Sequence, residues 1–397
     1  MPDNRTAILF GAFDRHNFGD LLLAHIAAHG LTGRPLHYCG LAERDLSACG
    51  GHKVQALARV AERLGGTPVD IVHVGGEILT CSAWEAAVML LPASQAPAVV
   101  ARLDADPAGR AAWAQARLGL PDLAPYLLPG GLFANAAKVS YRAVGGIDLD
   151  RLEPAMRGEV VAKLKAAARV GVRDRQTHAM LESAGIHCGL EPDPAVMVAE
   201  LFAPRIRQHA RHGEPAGVIA AFPRGYLAVQ CSADFGDDDT LAALARQLEQ
   251  LARAQDLGIV LFRAGAAPWH DDLDVYRRLA ARMPRTRVAI FASLNLWDIC
   301  ALLAHGRGFA GSSLHGGIVA TALALPHVGL LRPGQSLASS KQAAFGATWG
   351  TAGAPAAVPV DALASGMAQA MATEPARREA LARTLVQAGR ASLAAGQ

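Results

Sequence analysis

Short apolar runs alternate with amphipathic stretches along almost the whole chain, and this alternation limits the fold more than any other feature. In the first half, the apolar runs predict strands at 7–10, 70–74, 138–144 and 170–172. In the second half, they predict strands at 226–230, 258–262, 288–291, 308–310 and 327–331. Helical patterns fill the intervals, including 21–28, 52–64, 176–184, 239–254, 272–283, 296–304 and 317–323. Such alternation predicts parallel sheets with helices on both faces.

The domain organisation follows from the length and from one proline-bearing segment. A chain of 397 residues is too long for one ordinary core, so we expect two domains. We predict an N-terminal α/β domain at 1–205, a linker at 206–217 and a C-terminal α/β domain at 218–397, each with a doubly wound sheet. The segment 92–129 is predicted to be a helical insertion. The tail from Pro375 is predicted to form one or two helices, with packing against the N-terminal domain as an option.

Composition excludes several classes of protein. Apolar residues make up 51% of the chain and charged residues 18%, which argues against disorder. The net charge of +3 has no basic block, so nucleic acid and anionic membrane surfaces are poor candidate partners. The sequence has neither an eighteen-residue apolar run nor a signal-peptide pattern, which predicts a cytoplasmic protein. The six cysteines form no CxxC pair and are expected to be reduced. A homo-oligomer remains open.

The segment 307–326 carries the strongest functional signal. It predicts a short strand, the turn Gly-Ser-Ser-Leu-His-Gly-Gly at 311–317, and a helix that ends at Pro326. A turn of this kind directs free backbone N–H groups and the positive end of a helix dipole towards a ligand. Its histidine, His315, is of a type that can carry a proton near neutral pH. The pattern therefore predicts a site for an anionic ligand.

Polar or glycine clusters also follow other predicted strands. They contain Asn17, Gly19 and Asp20; Gly75, Gly76 and Glu77; Gly145 and Gly146; Arg173 and Asp174; Asp193; and Ser312, Ser313 and His315. Each cluster has an ordinary structural explanation, such as a helix cap, a tight turn or a surface ion pair. Because ligands bind outside the carboxyl ends of parallel strands, their recurrence there predicts a cleft between two domains.

Several well-known catalytic and binding signatures are absent from the sequence. It contains no GxxxxGK[ST] loop, no GxGxxG after the first strand, no GxSxG elbow and no HExxH. The segment His270-Asp271-Asp272 is interpreted as a helix cap rather than a metal site, because adjacent side chains do not point in one direction. We therefore predict neither a bound metal nor a cofactor.

These residues together resemble the polysaccharide pyruvyl transferase family over most of the chain. The matching motifs are the Asn-x-Gly-Asp turn at 17–20, Gly75-Gly76, Arg173-Asp174, Asp193-Pro194, and Gly-x-Ser-Leu-His-Gly at 311–316 with its helix and Pro326. Lys341 is the best match to a family lysine. Where some family branches carry arginine two residues before the histidine, this chain has Ser313. The resemblance implies two Rossmann-like domains in the arrangement of B-type glycosyltransferases.

The resemblance also implies a reaction. Phosphoenolpyruvate would be the donor co-substrate, and a sugar of a polysaccharide or its precursor would be the acceptor, in bacterial cell-envelope biosynthesis. The implied catalytic residues are His315 as the acid, Arg173, and Asp20 as the base, with Glu77 as an alternative base. The implied donor-binding residues are Arg173, Ser312, Ser313, His315, Gly316 and Lys341. The implied acceptor-binding residues are Asn17, Gly19, Asp20, Gly75, Gly76, Glu77 and Asp193.

Two other functions stay open at this stage. A B-type glycosyltransferase that uses a nucleotide sugar fits the same fold, although the sequence lacks a paired glutamate in its last third. A degenerate family member that only binds sugar is the second alternative, raised by Ser313. Retention of Asn17, Asp20, Arg173 and His315 argues against it, because a scaffold has no physical need for all four.

Overall fold

The computed structural model describes residues 5–133, 135–350 and 355–394, and the chain divides into two compact units. Unit 1 contains Met1–Pro194 together with Ala391–Gln397, and unit 2 contains Ala195–Arg390. Each unit has a parallel sheet and a hydrophobic core of its own. The prediction of two α/β domains with doubly wound sheets is therefore confirmed.

Unit 1 is built on an eight-stranded sheet. Its strands are Thr6–Phe10 (β1), Leu36–Gly40 (β2), Arg44–Asp45 (β3), Lys53–Ala56 (β4), Val69–His73 (β5), Ala136–Val144 (β6), Arg169–Val172 (β7) and Gly189–Leu190 (β8). Its helices are Phe18–His29 (α1), Leu57–Leu64 (α2), Ala83–Met89 (α3), Ala96–Leu103 (α4), Pro107–Leu118 (α5), Pro154–Lys165 (α6) and Arg175–Ser183 (α7). The strand order is β3-β4-β2-β1-β5-β6-β7-β8, and only β3 runs antiparallel to its neighbour among the described strands. The order reverses between β1 and β5.

Unit 2 has a six-stranded sheet that is parallel throughout its described strands. Its strands are Tyr226–Gln230 (β9), Gly258–Phe262 (β10), Val288–Phe291 (β11), Gly308–Gly311 (β12), His327–Leu330 (β13) and Ala357–Val358 (β14). Its helices are Val198–His209 (α8), Gly213–Ala221 (α9), Asp238–Gln255 (α10), Leu273–Ala281 (α11), Leu296–His305 (α12), Leu314–Ala322 (α13), Lys341–Trp349 (α14), Leu363–Ala372 (α15) and Pro375–Ala394 (α16). The end of α16, from Ala391, belongs to unit 1. The order β11-β10-β9-β12-β13-β14 is that of a Rossmann sheet, and it reverses between β9 and β12.

The central strands match the predicted ones because they are continuous apolar runs. β1 and β5 are buried over nearly their whole length, as strands covered on both faces must be. The predicted helix at 52–64 is partly wrong, because β4 takes up Lys53–Ala56 and the helix begins at Leu57. Strands β2, β3, β4, β8 and β14 were not predicted, and of these β3, β8 and β14 lie at the edges of their sheets. The insertion at 92–129 contains two helices, α4 and α5, as expected.

The division between the units lies after Pro194, and the segment expected to be a linker, 206–217, is mostly helical. Helix α8 passes through Pro204 and continues to His209, although proline inside a helix removes a backbone hydrogen bond. Packing against α12 holds it in place. Arg205 lies 4.3 Å from the Trp297 ring centroid, and His209 Nδ1 lies 2.6 Å from Asp298 Oδ1. These tertiary contacts offset the cost of the proline.

Membrane-spanning helices and the state of the cysteines are two features that were predicted from composition. The described part of the chain contains no helix that combines the length and apolar character needed to span a bilayer. All six cysteines are free thiols, and four of them (Cys39, Cys81, Cys231 and Cys300) are buried. Burial raises the pKa of each of these four thiols well above its ordinary value. The buried cysteines therefore act as small apolar residues.

Candidate functional site

The predicted site residues divide between two places, one in each unit. In unit 1, they follow β1 and β5, which flank the reversal of strand order, and β7 and β8 further along the sheet. In unit 2, they follow β12, next to the reversal between β9 and β12, except for Lys341, which lies after β13. A reversal leaves a crevice at the carboxyl ends of two neighbouring strands, which is where ligands of such sheets bind. Both places therefore have the topology of a binding site.

Asn17 and Asp20 form the start of helix α1 in unit 1. Asn17 is the N-cap, and its Oδ1 accepts hydrogen bonds from the backbone N–H groups of Gly19 (3.0 Å) and Asp20 (3.3 Å). Asp20 lies in the first helical turn, where a negative charge is favourable. Gly76 has φ +85°, and a Cβ added to it would lie 3.0 Å from Asp20 Oδ1. The close approach of the Gly76 backbone to Asp20 therefore requires glycine, for both conformation and space.

Arg173 connects two other predicted site residues of unit 1. Its Nη2 donates to Glu77 Oε2 at 2.6 Å, and its Nη1 donates to Asp193 Oδ2 at 3.1 Å. Burial lowers the pKa of Arg173, but the carboxylates of Glu77 and Asp193 raise it above its ordinary value. A Cβ on Gly145 would lie 2.5 Å from Glu77 Oε2, so position 145, in the turn after β6, also requires glycine. Glu77, Arg173 and Asp193 thus form one ionic cluster, in which Arg173 and Asp193 are buried and Glu77 is partly exposed.

This cluster changes the expected roles of two residues. The sequence analysis assigned Arg173 to the donor and Asp193 to the acceptor. In the structure, Asp193 is fully buried, so its side chain has no surface with which to contact an acceptor. Both terminal nitrogens of Arg173 bind carboxylates of the protein, and Arg173 itself is 3% exposed. As a correction, Asp193 is a positioning residue that holds Arg173, and Arg173 in turn holds Glu77.

Unit 1 contains a second buried polar cluster, which the sequence analysis missed. Asp14, fully buried in the turn after β1, accepts hydrogen bonds from Tyr126 Oη at 2.7 Å and from the backbone N–H of Leu41 at 2.7 Å. Burial raises the pKa of Asp14, although Arg15 and these hydrogen bonds oppose the rise. Arg15 Nη1 donates to Tyr126 Oη at 2.7 Å. The available signal was the charged pair Asp14-Arg15 directly after an apolar strand.

The turn between β12 and α13 in unit 2 contains the remaining predicted residues. Ser313 is the N-cap of α13, and its Oγ accepts a hydrogen bond from Gly316 N at 3.1 Å. His315 is the second residue of the helix and is 8% exposed. A Cβ on Gly316 would lie within 3.0 Å of ring carbons of Phe309, so this glycine permits close packing of helix on strand. Lys341 is the first residue of α14 in the same unit.

Two residues that were not predicted hold this turn in place. Gln230 ends β9 and is 2% exposed, and its Oε1 accepts hydrogen bonds from Ser313 N (2.7 Å) and Ser312 Oγ (3.4 Å). Its Nε2 donates to Asp271 Oδ1 at 2.7 Å. Burial raises the pKa of Asp271 to about 7, although hydrogen bonds from Ala264 N and Gln230 oppose the rise. Asp272, not Asp271, caps α11, which agrees with the helix-cap interpretation for this segment.

A possible metal-binding group lies elsewhere in unit 1. Within the described ranges, one group of three potential metal ligands has its ligand atoms within 4.8 Å of one another. It consists of His178, Glu182 and Cys188. His178 Nε2 already lies 3.1 Å from the carbonyl oxygen of Cys188, and burial together with Glu182 raises the pKa of the Cys188 thiol to about 11. A high thiol pKa opposes the thiolate that a metal needs. None of the predicted site residues belongs to this group.

Comparison with solved structures defines the class of fold. The chain is similar to the UDP-GlcNAc 2-epimerase of Neisseria meningitidis, with 11% identity, a TM-score of 0.53 and coverage of 98% of both chains. It is also similar to α,α-trehalose 6-phosphate synthase from Burkholderia multivorans, with 13% identity, a TM-score of 0.51, and coverage of 98% of this chain and 95% of the other. These similarities show the fold alone, which is the two-domain α/β fold of the glycosyltransferase B type.

Comparison with protein families then narrows the class. Residues 146–332 match the sequence profile of the family described as "Polysaccharide pyruvyl transferase". The matched segment is just under half of the chain and includes Arg173, Asp193 and the turn with Ser312 to Gly316. The match confirms the family resemblance over these residues, and it indicates a transferase that acts in polysaccharide modification. Curated protein sequences give no significant match to this chain.

Proposed function

We propose that the protein transfers the three-carbon pyruvyl unit of phosphoenolpyruvate to a sugar of a polysaccharide or its precursor. The product is a cyclic pyruvate ketal, and inorganic phosphate is released. The observation that carries the proposal is that the family match includes the β12–α13 turn, where Ser313 caps a helix and His315 lies in its first turn. Anions bind favourably at such helix N-termini.

The reaction requires one proton on carbon and two new carbon–oxygen bonds. Protonation of the methylene carbon makes the central carbon electrophilic, one acceptor hydroxyl adds to it, and the second hydroxyl replaces phosphate. Of the two hydroxyl protons, one is balanced by the proton gained at carbon and the other leaves with phosphate. We assign the proton donation to His315, since histidine is the side chain best suited to acid catalysis near neutral pH.

The acceptor hydroxyl must lose its proton to a base of unit 1. Asp20 and Glu77 were both candidates, and the contacts of Glu77 favour Asp20. Glu77 accepts hydrogen bonds from Arg173 at 2.6 Å and from Thr80 at 3.2 Å, so ion pairing already stabilises its charge. We therefore assign the base role to Asp20, and acceptor contacts to Asn17, Gly19, Gly75 and Gly76. Ser312, Gly316 and Lys341 remain proposed donor contacts.

Phosphate release with phosphoenolpyruvate and a panel of saccharide acceptors tests the proposal. We expect His315→Gln to lower kcat by about 10²–10⁴-fold, with less than about tenfold change in phosphoenolpyruvate affinity. His305→Gln is the matched control, because His305 is an exposed histidine at the end of α12 in the same unit. Wild-type turnover in His315→Gln would remove His315 from the acid role. Absence of phosphoenolpyruvate binding by the wild type would contradict the proposed donor.

A nucleotide-sugar glycosyltransferase is the second candidate, and it rests on the shared fold. The N. meningitidis epimerase structure is described as bound to UDP-GlcNAc. In unit 2, an apolar cavity of about 90 Å³ lies beside α13 and is lined by residues that include Phe345 and Trp349. This volume is well below that of a pocket for a nucleoside, typically about 300 Å³ or more. Titration with uridine diphosphate tests this alternative, and tight binding would favour it over pyruvyl transfer.

A further inference from the structure

Arg15 is a buried cation of unit 1 whose hydrogen-bonding capacity is only partly used. It lies in the turn after β1 and is 9% exposed. Its Nη1 donates to Tyr126 Oη at 2.7 Å, and the guanidinium carbon lies 5.1 Å from the centre of the Tyr126 ring. Its Nε is buried and has no hydrogen-bond acceptor among the residues that the structure describes. A buried donor without an acceptor is costly, so its retention needs an explanation.

The neighbouring carboxylate does not supply that acceptor. Asp14 is adjacent in sequence, but its two oxygens accept hydrogen bonds from Tyr126 Oη and from the backbone N–H groups of Leu41 and Ala42. Asp14 therefore orients the hydroxyl of Tyr126, and the hydroxyl oxygen in turn accepts the hydrogen bond from Arg15. The result is a relay that fixes the guanidinium plane through Nη1, while Nε, on the opposite edge with Nη2, has no hydrogen-bond acceptor in the described chain.

That edge has the geometry for a bidentate anion. In an arginine side chain, the Nε–H and one Nη–H bond point in the same direction, which matches the two oxygens of a carboxylate or phosphate. Elsewhere in this protein, Arg390 uses the same edge, with Nε 2.7 Å from Glu200 Oε1 and Nη2 2.6 Å from Glu200 Oε2. By contrast, both terminal nitrogens of Arg173 bind carboxylates. Arg15 is thus better placed than Arg173 to receive an external anion.

The position of Arg15 is that of a ligand-binding residue. β1 lies at the reversal of strand order in the unit 1 sheet, and the turn that carries Arg15 leads directly into α1. Asp20, five residues further along the chain, lies in the first turn of that helix. An anion at the open edge of Arg15 would therefore bind in the segment that leads to the carboxylate that we assign as the base.

We propose that Arg15 binds a carboxylate or phosphate group of a substrate through its Nε–Nη2 edge. The inference rests on the proposed function only for the identity of the anion, which belongs either to phosphoenolpyruvate or to a phosphorylated sugar acceptor. Lipid-linked and nucleotide-linked precursors carry a phosphate, whereas a finished neutral polymer offers no such group. Binding of an acceptor phosphate at this edge would therefore also indicate that a precursor is modified.

Calorimetric titration of the full-length protein tests this site. The probes are phosphoenolpyruvate, inorganic phosphate, pyruvate and a nucleotide sugar, each added to the wild type, Arg15→Lys, Arg15→Gln and Arg390→Lys. We expect Arg15→Gln to weaken at least one of these anions by about 10- to 100-fold, and Arg15→Lys by about tenfold, because lysine keeps the charge but loses the planar edge. Arg390→Lys is the matched control and should bind as the wild type does.

A second measurement uses the wild-type protein and so does not depend on whether a variant of the buried Arg15 folds. The Nε–Hε resonance of Arg15 in the wild type should shift on titration with the anion that binds, since Nε is half of the proposed edge. A shift with phosphoenolpyruvate identifies the donor, and a shift with the nucleotide sugar alone identifies an anionic acceptor. Unchanged affinities in Arg15→Lys and Arg15→Gln, or an unshifted Nε–Hε resonance with all four probes, overturn the inference.

The outcomes separate this inference from the proposed function. Pyruvyl transfer by Arg15→Gln at the wild-type rate and affinity would leave the proposed function intact and refute the Arg15 site. Binding of phosphate or nucleotide sugar that depends on Arg15, without any binding of phosphoenolpyruvate, would support the Arg15 site and refute the proposed donor.

Discussion

His73 shows how burial changes the chemistry of a single residue. It ends β5, is fully buried, and stacks on Tyr141 with ring centroids 3.9 Å apart. Nδ1 lies 3.1 Å from the carbonyl oxygen of Ser140, and Nε2 accepts a hydrogen bond from Leu128 N at 3.1 Å. Burial lowers the pKa of His73 to about 3. His73 is therefore a neutral structural histidine rather than a catalytic one.

The lowered pKa of His73 predicts a loss of stability in acid. Below the ordinary histidine pKa of about 6.5, the unfolded chain binds a proton that the folded protein excludes. The free energy of unfolding should therefore fall by about 2 kcal/mol between about pH 7 and about pH 5 from this residue. Chemical denaturation at both pH values should show a smaller drop in His73→Gln. His187→Gln, at a fully exposed histidine, should keep the wild-type pH dependence.

Gly316 and Gly317 are neighbours in α13 and offer a matched pair of substitutions. We expect Gly316→Ala to cost about 1–3 kcal/mol, because its Cβ would lie within 3.0 Å of the buried Phe309 ring. Gly317→Ala meets only His327 Cδ2 at 3.6 Å, an ordinary contact, and should gain up to about 1 kcal/mol from helix propensity. Thermal denaturation of both variants is the measurement. Equal stability would refute the packing role of Gly316.

Two helices of the candidate site begin at a side-chain cap placed just after a strand. Asn17 caps α1 after β1, and Ser313 caps α13 after β12. In each case, the cap residue has an extended backbone, and its side chain accepts hydrogen bonds from N–H groups of the first turn. The caps set the direction in which each helix N-terminus points, and so they position Asp20 and His315.

Asn17 allows the capping role to be separated from a role in binding. Asn17→Ala should lower the free energy of unfolding by about 1 kcal/mol, whereas Asn17→Ser should preserve it, because serine caps as well as asparagine. If Asn17 also contacts the acceptor, as we propose, Asn17→Ser should raise the KM for the acceptor at unchanged stability. Denaturation together with steady-state kinetics gives both quantities. An unchanged KM in Asn17→Ser would leave Asn17 as a cap alone.

At the scale of the whole molecule, each unit has its own sheet, its own core and its own reversal of strand order. The two places assigned to substrates lie at these reversals, one in each unit. A ligand that binds the folded protein slows local opening where it makes contacts. Hydrogen exchange can therefore report separately which unit binds which substrate.

We expect phosphoenolpyruvate to slow amide exchange by about tenfold or more in the segment 312–317 at saturation. Peptides from α5, which contains no predicted site residue, provide an internal reference. Pyruvate, which lacks the phosphate, should protect this segment less. Protection that appears in unit 1 but not in 312–317 would move the donor away from the β12–α13 turn.

The sequence predicted the central strands of each sheet but not the short strands β3, β8 and β14 at the edges. Central strands such as β1, β5, β9 and β10 are apolar runs, because both faces of a parallel sheet are covered. β3, β8 and β14 have two residues each, and only pairing with a neighbour makes them strands. The expected linker failed for a similar reason, since contacts of α8 with Trp297 and Asp298 outweigh the local signal of Pro204.

Local sequence was therefore enough to predict the α/β class, the turns that follow the central strands and the residues within them, since each depends on neighbours along the chain. Tertiary structure alone decided what those residues touch. Arg173 meets Glu77 across 96 residues of sequence, and Arg15 meets Tyr126 across 111. Which arginine has its charge neutralised by carboxylates, and which keeps an open edge, depends on contacts between distant segments. Only the folded chain brings those segments together.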